Sequence, residues 1–192
     1  VPNLRVVAKK HFDADFDTLR ELLASPYHEY RLTALLALTY RYAKFKDLAS
    51  REACVNFYVS QVDAINNWDL VDLSCYKILG HWLFDKDKQL LYDWAKENHL
   101  WKQRIAMITC MHFVKQGEFK DALAIADLLQ HHPHDLIHKA VGWILREIGK
   151  ENEQLLVDYL TPRYKEMPRT MLRYAIERFE EGKRKAFLHS KV

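Results

Sequence analysis

The chain has 192 residues, of which 49% are hydrophobic and 29% charged. This is enough apolar content for a folded domain, and it excludes a disordered chain. Five Gly and five Pro residues are too few for the many turns of an all-β sandwich or barrel. The formal net charge of +3 does not by itself indicate a nucleic-acid-binding protein, because only clustered charge would do so.

The three cysteines, Cys54, Cys75 and Cys110, are widely spaced and form no CxxC pair. This pattern favours a reduced, cytoplasmic protein and predicts neither a disulfide framework nor a zinc site. The sequence contains no apolar run of about 18 residues and no signal-peptide pattern, so we expect a soluble protein. Because the first residue is Val rather than Met, we expect the numbering to start inside a longer chain.

Helical periodicity recurs along the chain. The predicted helices are Asp15–Ala24, Tyr30–Lys44, Arg51–Ile65, Trp68–Phe84, Lys88–Asn98, Trp101–Lys115, Glu118–Leu129, Leu136–Gly149, Asn152–Lys165 and Pro168–Glu181. Turn-forming residues precede four of them, at Ser25-Pro26, Asn66-Asn67, His131-His132-Pro133 and Met167-Pro168. No low-complexity segment or linker interrupts the pattern.

Alternate helices align as repeats with a period in the mid-thirties. Their anchor residues are Ala34, Val71, Ala106, Ala140 and Ala175, with spacings of 37, 35, 34 and 35 residues. This period is typical of a two-helix solenoid unit. We therefore predict one all-α domain over residues 1–192, a right-handed α-solenoid of helical hairpins. Such solenoids are commonly binding scaffolds, so the fold alone predicts no reaction.

Asp72 is the first residue that packing does not readily explain. Asn67 is the expected N-cap of its helix, and Asp69 lies in the first turn, where the helix dipole favours negative charge. At helical spacing, Asp72 is flanked by Trp68 and Tyr76. It adjoins an apolar stripe of Val71, Cys75, Ile78 and Trp82. Either Asp72 bonds to a neighbouring repeat, or it is an ionised carboxylate that faces developing positive charge.

Arg104 lies on a helix that is apolar on nearly every side. Its face carries Leu100, Met107, Ile108 and Met111. A buried guanidinium needs a partner, because leaving it unpaired is very costly. The partner is either an acidic residue of an adjacent helix or a phosphate, which Arg can bind through two parallel hydrogen bonds.

Trp143 lies off the core stripe of its helix. It shares a face with Lys139, Arg146, Glu147 and Lys150. This side chain either packs on a neighbouring helix or, amid cations, binds nucleic acid. The C-terminal half is made more basic by Arg169, Arg173 and Arg178 and by Lys183-Arg184-Lys185. The alternative is that these residues are only solvated surface charges.

The unusual positions fall on successive repeat helices, which line one wall of a solenoid. We therefore expect Trp68, Asp72, Arg104 and Trp143 to share one concave surface. By contrast, His131, His132 and His134 flank Pro133 and are expected to form a solvated turn rather than a metal site.

At these residues the chain resembles the AlkD-like DNA glycosylases, HEAT-like-repeat enzymes of DNA alkylation repair. The likeness extends over essentially the whole chain, from Val1-Pro2-Asn3-Leu4-Arg5 to the segment Met167–Ala175. Its strongest parts are Asn67-Trp68-Asp69-Leu70-Val71-Asp72, Trp101-x-x-Arg104 and Lys139-Ala140-Val141-Gly142-Trp143-x-Leu145-Arg146-Glu147. The resemblance also implies that an N-terminal segment of the family precedes Val1.

By this resemblance, Asp72 is the catalytic aspartate, Trp68 and Trp143 contact the sugar, and Arg104 lies on the phosphate side. The implied reaction is glycosidic hydrolysis of cationic alkylpurines, such as N3-methyladenine and N7-methylguanine, in duplex DNA. We expect Lys139, Arg146, Lys150, Arg169 and Arg173 to contact DNA.

The implied enzyme is monofunctional, requires no metal or other cofactor, and acts in the cytoplasm on nucleoid DNA. It has no obligate protein partner, and we expect a monomer. Some relatives lack part of the residue set and only bind unusual DNA. The alternative is therefore a non-catalytic solenoid that binds bent or branched DNA. A protein-interaction scaffold is a third possibility, but it gives no reason for Asp72 and Arg104 to converge.

Overall fold

The structure is a computed structural model that describes residues 2–189, and all regular secondary structure in this range is helical. This confirms the predicted all-α class, with helical hairpins consistent with an α-solenoid. Val1, the first residue of the family-like opening, lies outside the described residues. No helix between residues 2 and 189 combines the length and apolar character that a membrane span requires.

The chain divides into two compact units, Val1–Asp87 and Lys88–Val192. The helices of the first unit are α1 (Pro2–Lys10), α2 (Phe16–Leu23), α3 (His28–Lys44), α4 (Leu48–Ser60), α5 (Trp68–Cys75) and α6 (His81–Leu83). A 3-10 turn, Val62–Ala64, follows α4, and a π-helical turn, Tyr76–Gly80, joins α5 to α6. The helices of the second unit are α7 (Gln89–Lys96), α8 (Leu100–Thr109), α9 (Met111–Lys115), α10 (Lys120–Leu129), α11 (Asp135–Glu151), α12 (Glu153–Leu160), α13 (Arg169–Ala175) and α14 (Glu181–Leu188).

One long helix forms the centre of the first unit. Helix α3 packs against α1, α2 and α5, and its residues from Ala34 to Thr39 are all buried. A helix with one apolar face would bury a single stripe, whereas α3 is covered on several sides. This explains why its sequence is apolar almost continuously from Leu35 to Leu38.

Two helices form the centre of the second unit. Every residue of α8 from Gln103 to Thr109 is buried, and α8 packs against both α7 and α11. Helix α11 also packs against α12 and α13. The predicted core stripe of α11 is confirmed, because its members are fully buried: Ile137, Val141, Ile144, Leu145 and Ile148.

Gly142 allows α11 and α13 to approach closely. A Cβ atom at this position would lie 2.5 Å from Cβ of Tyr174 and 2.6 Å from the carbonyl oxygen of Met171. Both distances are shorter than van der Waals contact, and one involves backbone that cannot rotate away. A residue without a side chain is therefore needed where the two helices cross.

Several predicted helices end earlier in the structure than the periodicity suggested. Helix α12 stops at Leu160 rather than at Lys165, because Pro162 restricts the residue before it and removes a helical N–H donor. The predicted helix Trp101–Lys115 is split at Cys110, and the predicted helix Pro168–Glu181 stops as α13 at Ala175. Helices α1 and α14 were not predicted, and each buries one residue, Ala8 and Phe187 respectively.

The π-helical turn Tyr76–Gly80 changes the face on which later residues lie. A π turn contains an extra residue relative to an α-helical turn, so residues beyond it are rotated from their expected positions. Val71, Cys75 and Ile78 are buried as predicted. Trp82, which regular periodicity placed on the same apolar stripe, is instead only half-buried.

Candidate functional site

In the first unit, Trp68 and Asp72 are carried by the same helix, α5. Trp68 is the first residue of α5 and is 53% exposed. Asp72 follows four residues later and is half-buried. Residues four apart on a helix are surface neighbours. The structure therefore places an exposed indole and a partly shielded carboxylate along one face of α5.

The first turn of α5 is held by an interaction that the sequence did not predict. Asn67 has the extended backbone of an N-cap, but its side chain makes no capping hydrogen bond. Instead, Oδ2 of Asp69 lies 2.7 Å from Nε2 of His28 on α3. His28 and Asp69 are 41 residues apart, so no local sequence pattern could have revealed the pair.

Behind α5, a hydrogen-bonded phenol lies near Asp72. The hydroxyl of Tyr58 is 3.0 Å from Oγ of Ser74, which donates to the carbonyl of Leu70 at 2.5 Å. Burial raises the pKa of Tyr58 well above its ordinary value, and the negative charge of Asp72 raises it further. Tyr58 therefore stays protonated, and its neutral ring adds no negative charge beside the Asp72 carboxylate.

In the second unit, Arg104 joins α8 to α11. Only 4% of Arg104 is exposed, so the guanidinium is buried and needs a partner, as predicted. Its Nη1 atom donates to the carbonyl of Leu136 at 2.5 Å. Leu136 lies seven residues before Trp143, and therefore on nearly the same face of α11. Arg104 thus fixes the start of the helix that carries Trp143.

The cations around Trp143 lie in ion pairs. Lys139 Nζ is 2.7 Å from Oδ2 of Asp135, and Lys150 Nζ is 2.7 Å from Oε1 of Glu147. Arg146 pairs with Glu177 beyond α13 and lies 3.6 Å from Glu147. The sequence suggested that this face is mostly basic. In the structure, positive and negative side chains alternate on it.

Two shifted pKa values at the start of α11 follow from these contacts. The hydrogen bond from Lys139 lowers the pKa of Asp135, and a hydrogen bond with Thr170 lowers it further. The same contact raises the pKa of Lys139, while the positive charge of Arg104 lowers it. Both groups are therefore charged at neutral pH, and Arg104 lies near enough to repel Lys139.

The predicted DNA contacts on α13 occupy different surroundings. Arg169 donates from Nη2 to the carbonyl of Leu188 at 2.9 Å, tying α13 to the end of α14. Arg173 is exposed on α13. Trp143 itself is half-buried, between the fully buried position of a core residue and the exposure of Trp68.

The histidines near Pro133 support the backbone. His134 is the N-cap of α11, and its Nδ1 accepts a hydrogen bond from the N–H of Leu136 at 3.1 Å. His132 Nδ1 accepts from the N–H of His134 at 3.0 Å. In the part of the chain that the structure describes, no group of three or more His, Cys, Asp or Glu residues could hold a metal ion.

Within each unit, the structure thus brings together part of the predicted residue set. Trp68 and Asp72 share α5 in the first unit, while Arg104 is bonded to the helix of Trp143 in the second. His28, which holds the turn between Trp68 and Asp72, was missed by the sequence, as was the contact of Thr170 with Asp135.

Comparison with known proteins agrees with this architecture. The family model described as DNA alkylation repair enzyme matches residues 1–179. A solved structure, the predicted DNA alkylation repair enzyme from Enterococcus faecalis, is similar with a TM-score of 0.69 and 16% sequence identity. The similarity covers 91% of this chain and 82% of that one, and at this identity it shows the fold alone. No match is found among curated protein sequences. The family match over most of its length shows that the chain belongs to the DNA alkylation repair enzymes.

Proposed function

We propose that the protein is a monofunctional DNA glycosylase that hydrolyses the N-glycosidic bond of cationic alkylpurines in duplex DNA. Its substrates are N3-methyladenine and N7-methylguanine, and its product is an abasic site. One observation carries the proposal: Trp68, 53% exposed, lies one helical turn before the half-buried carboxylate of Asp72. An exposed indole contributes little to the fold, so its position beside a carboxylate is better explained by a ligand.

The chemistry suits this pair of side chains. A positively charged purine is already a good leaving group, so the reaction needs no strong general acid. As the glycosidic bond breaks, positive charge develops on the sugar. The ionised Asp72 stabilises that charge and positions the attacking water, and the face of Trp68 adds favourable electrostatics. The segment from Asn67 to Asp72 contains no lysine, so water rather than an amine is the nucleophile.

In the proposed complex, the second unit contributes Trp143 against the sugar and Arg104 on the phosphate side. Lys139, Arg146, Lys150, Arg169 and Arg173 contact the DNA backbone. The ion pairs of Lys139, Arg146 and Lys150 are compatible with this role, because a DNA phosphate can replace a carboxylate as the partner of a cation. Binding then exchanges one charged contact for another, and affinity falls as salt rises.

The test is base release from methylated duplex DNA. Wild-type protein should release N3- and N7-methylpurines, and Asp72→Asn should lose roughly a hundredfold or more in rate, as when a transition-state stabiliser is removed. Asp13→Asn is a matched control, since it removes an exposed carboxylate of the same unit. DNA binding is measured in parallel at several salt concentrations. Binding without release by wild type would instead identify a non-catalytic DNA-binding protein.

A further inference from the structure

The first unit contains a charged pocket that is separate from Trp68 and Asp72. It lies between the end of α3, the start of α4 and helix α6, and its volume is about 220 Å³. Its lining includes three permanent cations, Lys46, Arg51 and Lys86, and one carboxylate, Asp85. From Trp68 to His81 the helical run spans thirteen residues, roughly 20 Å at the usual rise per residue. The pocket is therefore at the opposite end of this run from the proposed active site.

The cations around the pocket are held in place by neighbouring groups. Arg51 Nε donates to the carbonyl of Phe45 at 2.9 Å, and its guanidinium carbon is 5.4 Å from the centre of the Tyr42 ring. Lys86 Nζ lies 4.1 Å from the centre of the Trp82 ring. Lys46 Nζ donates to the carbonyl of Ala43 at 2.9 Å. Cations that are already positioned lose less freedom when they bind an anion.

These positive charges also act on a histidine in the same lining. His81 Nδ1 lies 2.8 Å from the hydroxyl of Tyr42. Burial lowers the pKa of His81, and the charges of Arg51, Lys46 and Lys86 lower it further, while Asp85 opposes them. Neutral His81 therefore leaves the pocket with two positive charges in excess. The field that repels a proton from His81 attracts an anion.

The geometry favours an anion without a stacked base. Tyr42 is buried with Arg51 over its ring, and Lys86 lies over the ring of Trp82, so each ring already holds a cation where a nucleobase would stack. A phosphomonoester carries a charge of about −1.5 to −2 at neutral pH, which matches the excess of two. A phosphodiester of the DNA backbone carries a single charge and matches less well.

We propose that this pocket binds a dianionic phosphate group, either free or at the phosphorylated end of a nucleic-acid strand. Lys46, Arg51 and Lys86 supply the charge-assisted contacts, and Asp85 limits the affinity. The pocket lining includes neither Trp68 nor Asp72, so this site does not depend on glycosidic hydrolysis.

In the first experiment, the full chain is titrated with inorganic phosphate and with sulfate. Binding is measured by calorimetry and by the NMR signals of Tyr42 and His81. Chloride at matched ionic strength is the control anion. Lys86→Met and Lys46→Met should each weaken binding roughly three- to tenfold. Lys10→Met, which removes an exposed lysine of α1, should leave binding unchanged. Asp85→Asn should tighten binding, a gain that misfolding cannot produce.

The second experiment identifies the source of the phosphate. Duplexes with 5′-phosphate and 5′-hydroxyl ends are compared by the same NMR signals. A stronger response to the phosphorylated duplex supports a strand end as ligand, whereas equal responses together with phosphate binding support a free phosphate. Unchanged signals with both phosphate and sulfate, or equal affinities of Lys86→Met and Lys10→Met, would overturn the proposal.

Discussion

The Nε2 atom of His28 lies 2.7 Å from Oδ2 of Asp69, so an imidazole of α3 holds the first turn of α5. Asp69 is the neighbour of Trp68 in sequence and lies three residues before Asp72. Its other carboxylate oxygen, Oδ1, is buried and has no hydrogen-bond partner among residues 2–189. The turn that orients the proposed catalytic pair is therefore hydrogen-bonded to α3.

Removing His28 should destabilise the protein. His28→Ala leaves the partly buried carboxylate of Asp69 without its partner, and we expect the free energy of unfolding to fall by about 1–2 kcal/mol. Urea denaturation measures this loss. His28→Gln, which retains a hydrogen-bond donor, should recover part of it. Equal stabilities of wild type and His28→Ala would show that the contact does not stabilise the turn.

Gly142 should tolerate alanine much less well than Gly149, although both lie in α11. A Cβ at Gly142 meets the backbone of Met171 at 2.6 Å, whereas a Cβ at Gly149 meets Cδ2 of Leu156 at 2.5 Å. The leucine end can rotate away, and alanine gains about 0.5–1 kcal/mol in helix preference over glycine. We expect Gly142→Ala to be destabilising by about 1–3 kcal/mol.

Thermal and urea unfolding of the two variants, side by side, test this prediction. Gly149→Ala should be close to wild type or slightly more stable, because its helix preference offsets a small rearrangement. If Gly142→Ala were equally well tolerated, α11 and α13 would not require their close approach at this position.

Arg104 should affect both stability and DNA binding. Its Nη1 is bonded to the carbonyl of Leu136 and only 4% of the residue is exposed. Arg104→Gln keeps an amide donor but removes the charge, so we expect a loss of about 2–3 kcal/mol in unfolding free energy. If Arg104 also neutralises a phosphate, the slope of log affinity against log salt should decrease by about one.

The two readouts separate the roles of Arg104. A loss of stability with an unchanged salt slope would restrict Arg104 to holding α11. The matched control is Lys115→Gln, which removes an exposed cation of the second unit outside the proposed interface. It should leave both stability and the salt slope near their wild-type values.

Sequence periodicity predicted the buried helices well, because a helix that packs on several sides has a strong apolar signal. The core stripe of α11 and the buried run of α8 were both recognised in this way. Short helices with few buried residues give a weaker signal, and α1, which buries Ala8 alone, was missed. The π-helical turn after Cys75 was also missed, and Trp82, expected on the apolar stripe, is only half-buried.

Electrostatic partners were the least predictable part of the candidate site. Arg146 pairs with Glu177, 31 residues away, and His28 pairs with Asp69, 41 residues away. Such pairs depend on which helices meet, and a helical pattern does not specify its neighbours. The types of the proposed site residues were recognisable from the sequence, but the groups that hold them in place were visible only in the structure.

His81 should make stability depend on pH. Its pKa is lowered from 6.5 by burial and by neighbouring cations, so the unfolded chain binds a proton more readily than the folded one. The contribution of His81 to stability is therefore complete above pH 6.5, the pKa of the unfolded chain. It declines as the pH falls from 6.5 towards the folded pKa. Replacement by Gln should reduce this decline, as measured by urea midpoints between about pH 7 and 5.

The pKa of His132 is also lowered by burial, so some pH dependence should remain in His81→Gln. Sulfate, which keeps its two negative charges over this range, should raise the pKa of His81 if it occupies the charged pocket. It should then reduce the difference between wild type and His81→Gln. An identical pH dependence of the two proteins without sulfate would contradict the effect assigned to His81.

Substitution of Trp94 should reduce stability, whereas substitution of Trp68 should reduce activity and leave stability nearly unchanged. Trp94 is 4% exposed in the core of the second unit, while Trp68 is 53% exposed. Trp94→Ala leaves a large cavity and should cost about 3–5 kcal/mol in unfolding free energy. Trp68→Ala should cost less than about 0.5 kcal/mol, as is usual for surface substitutions.

On methylated duplex DNA, Trp68→Ala should release methylpurines roughly three- to thirtyfold more slowly, because the cationic sugar loses the face of the indole. Trp68→Phe should retain part of the rate, since a phenyl ring keeps a weaker negative face. Unfolding midpoints measured on the same samples show whether the variant is folded, so that a lower rate of release is not caused by unfolding. A Trp68→Ala variant with full activity would show that exposure at this position reflects the end of a helix rather than a contact with substrate.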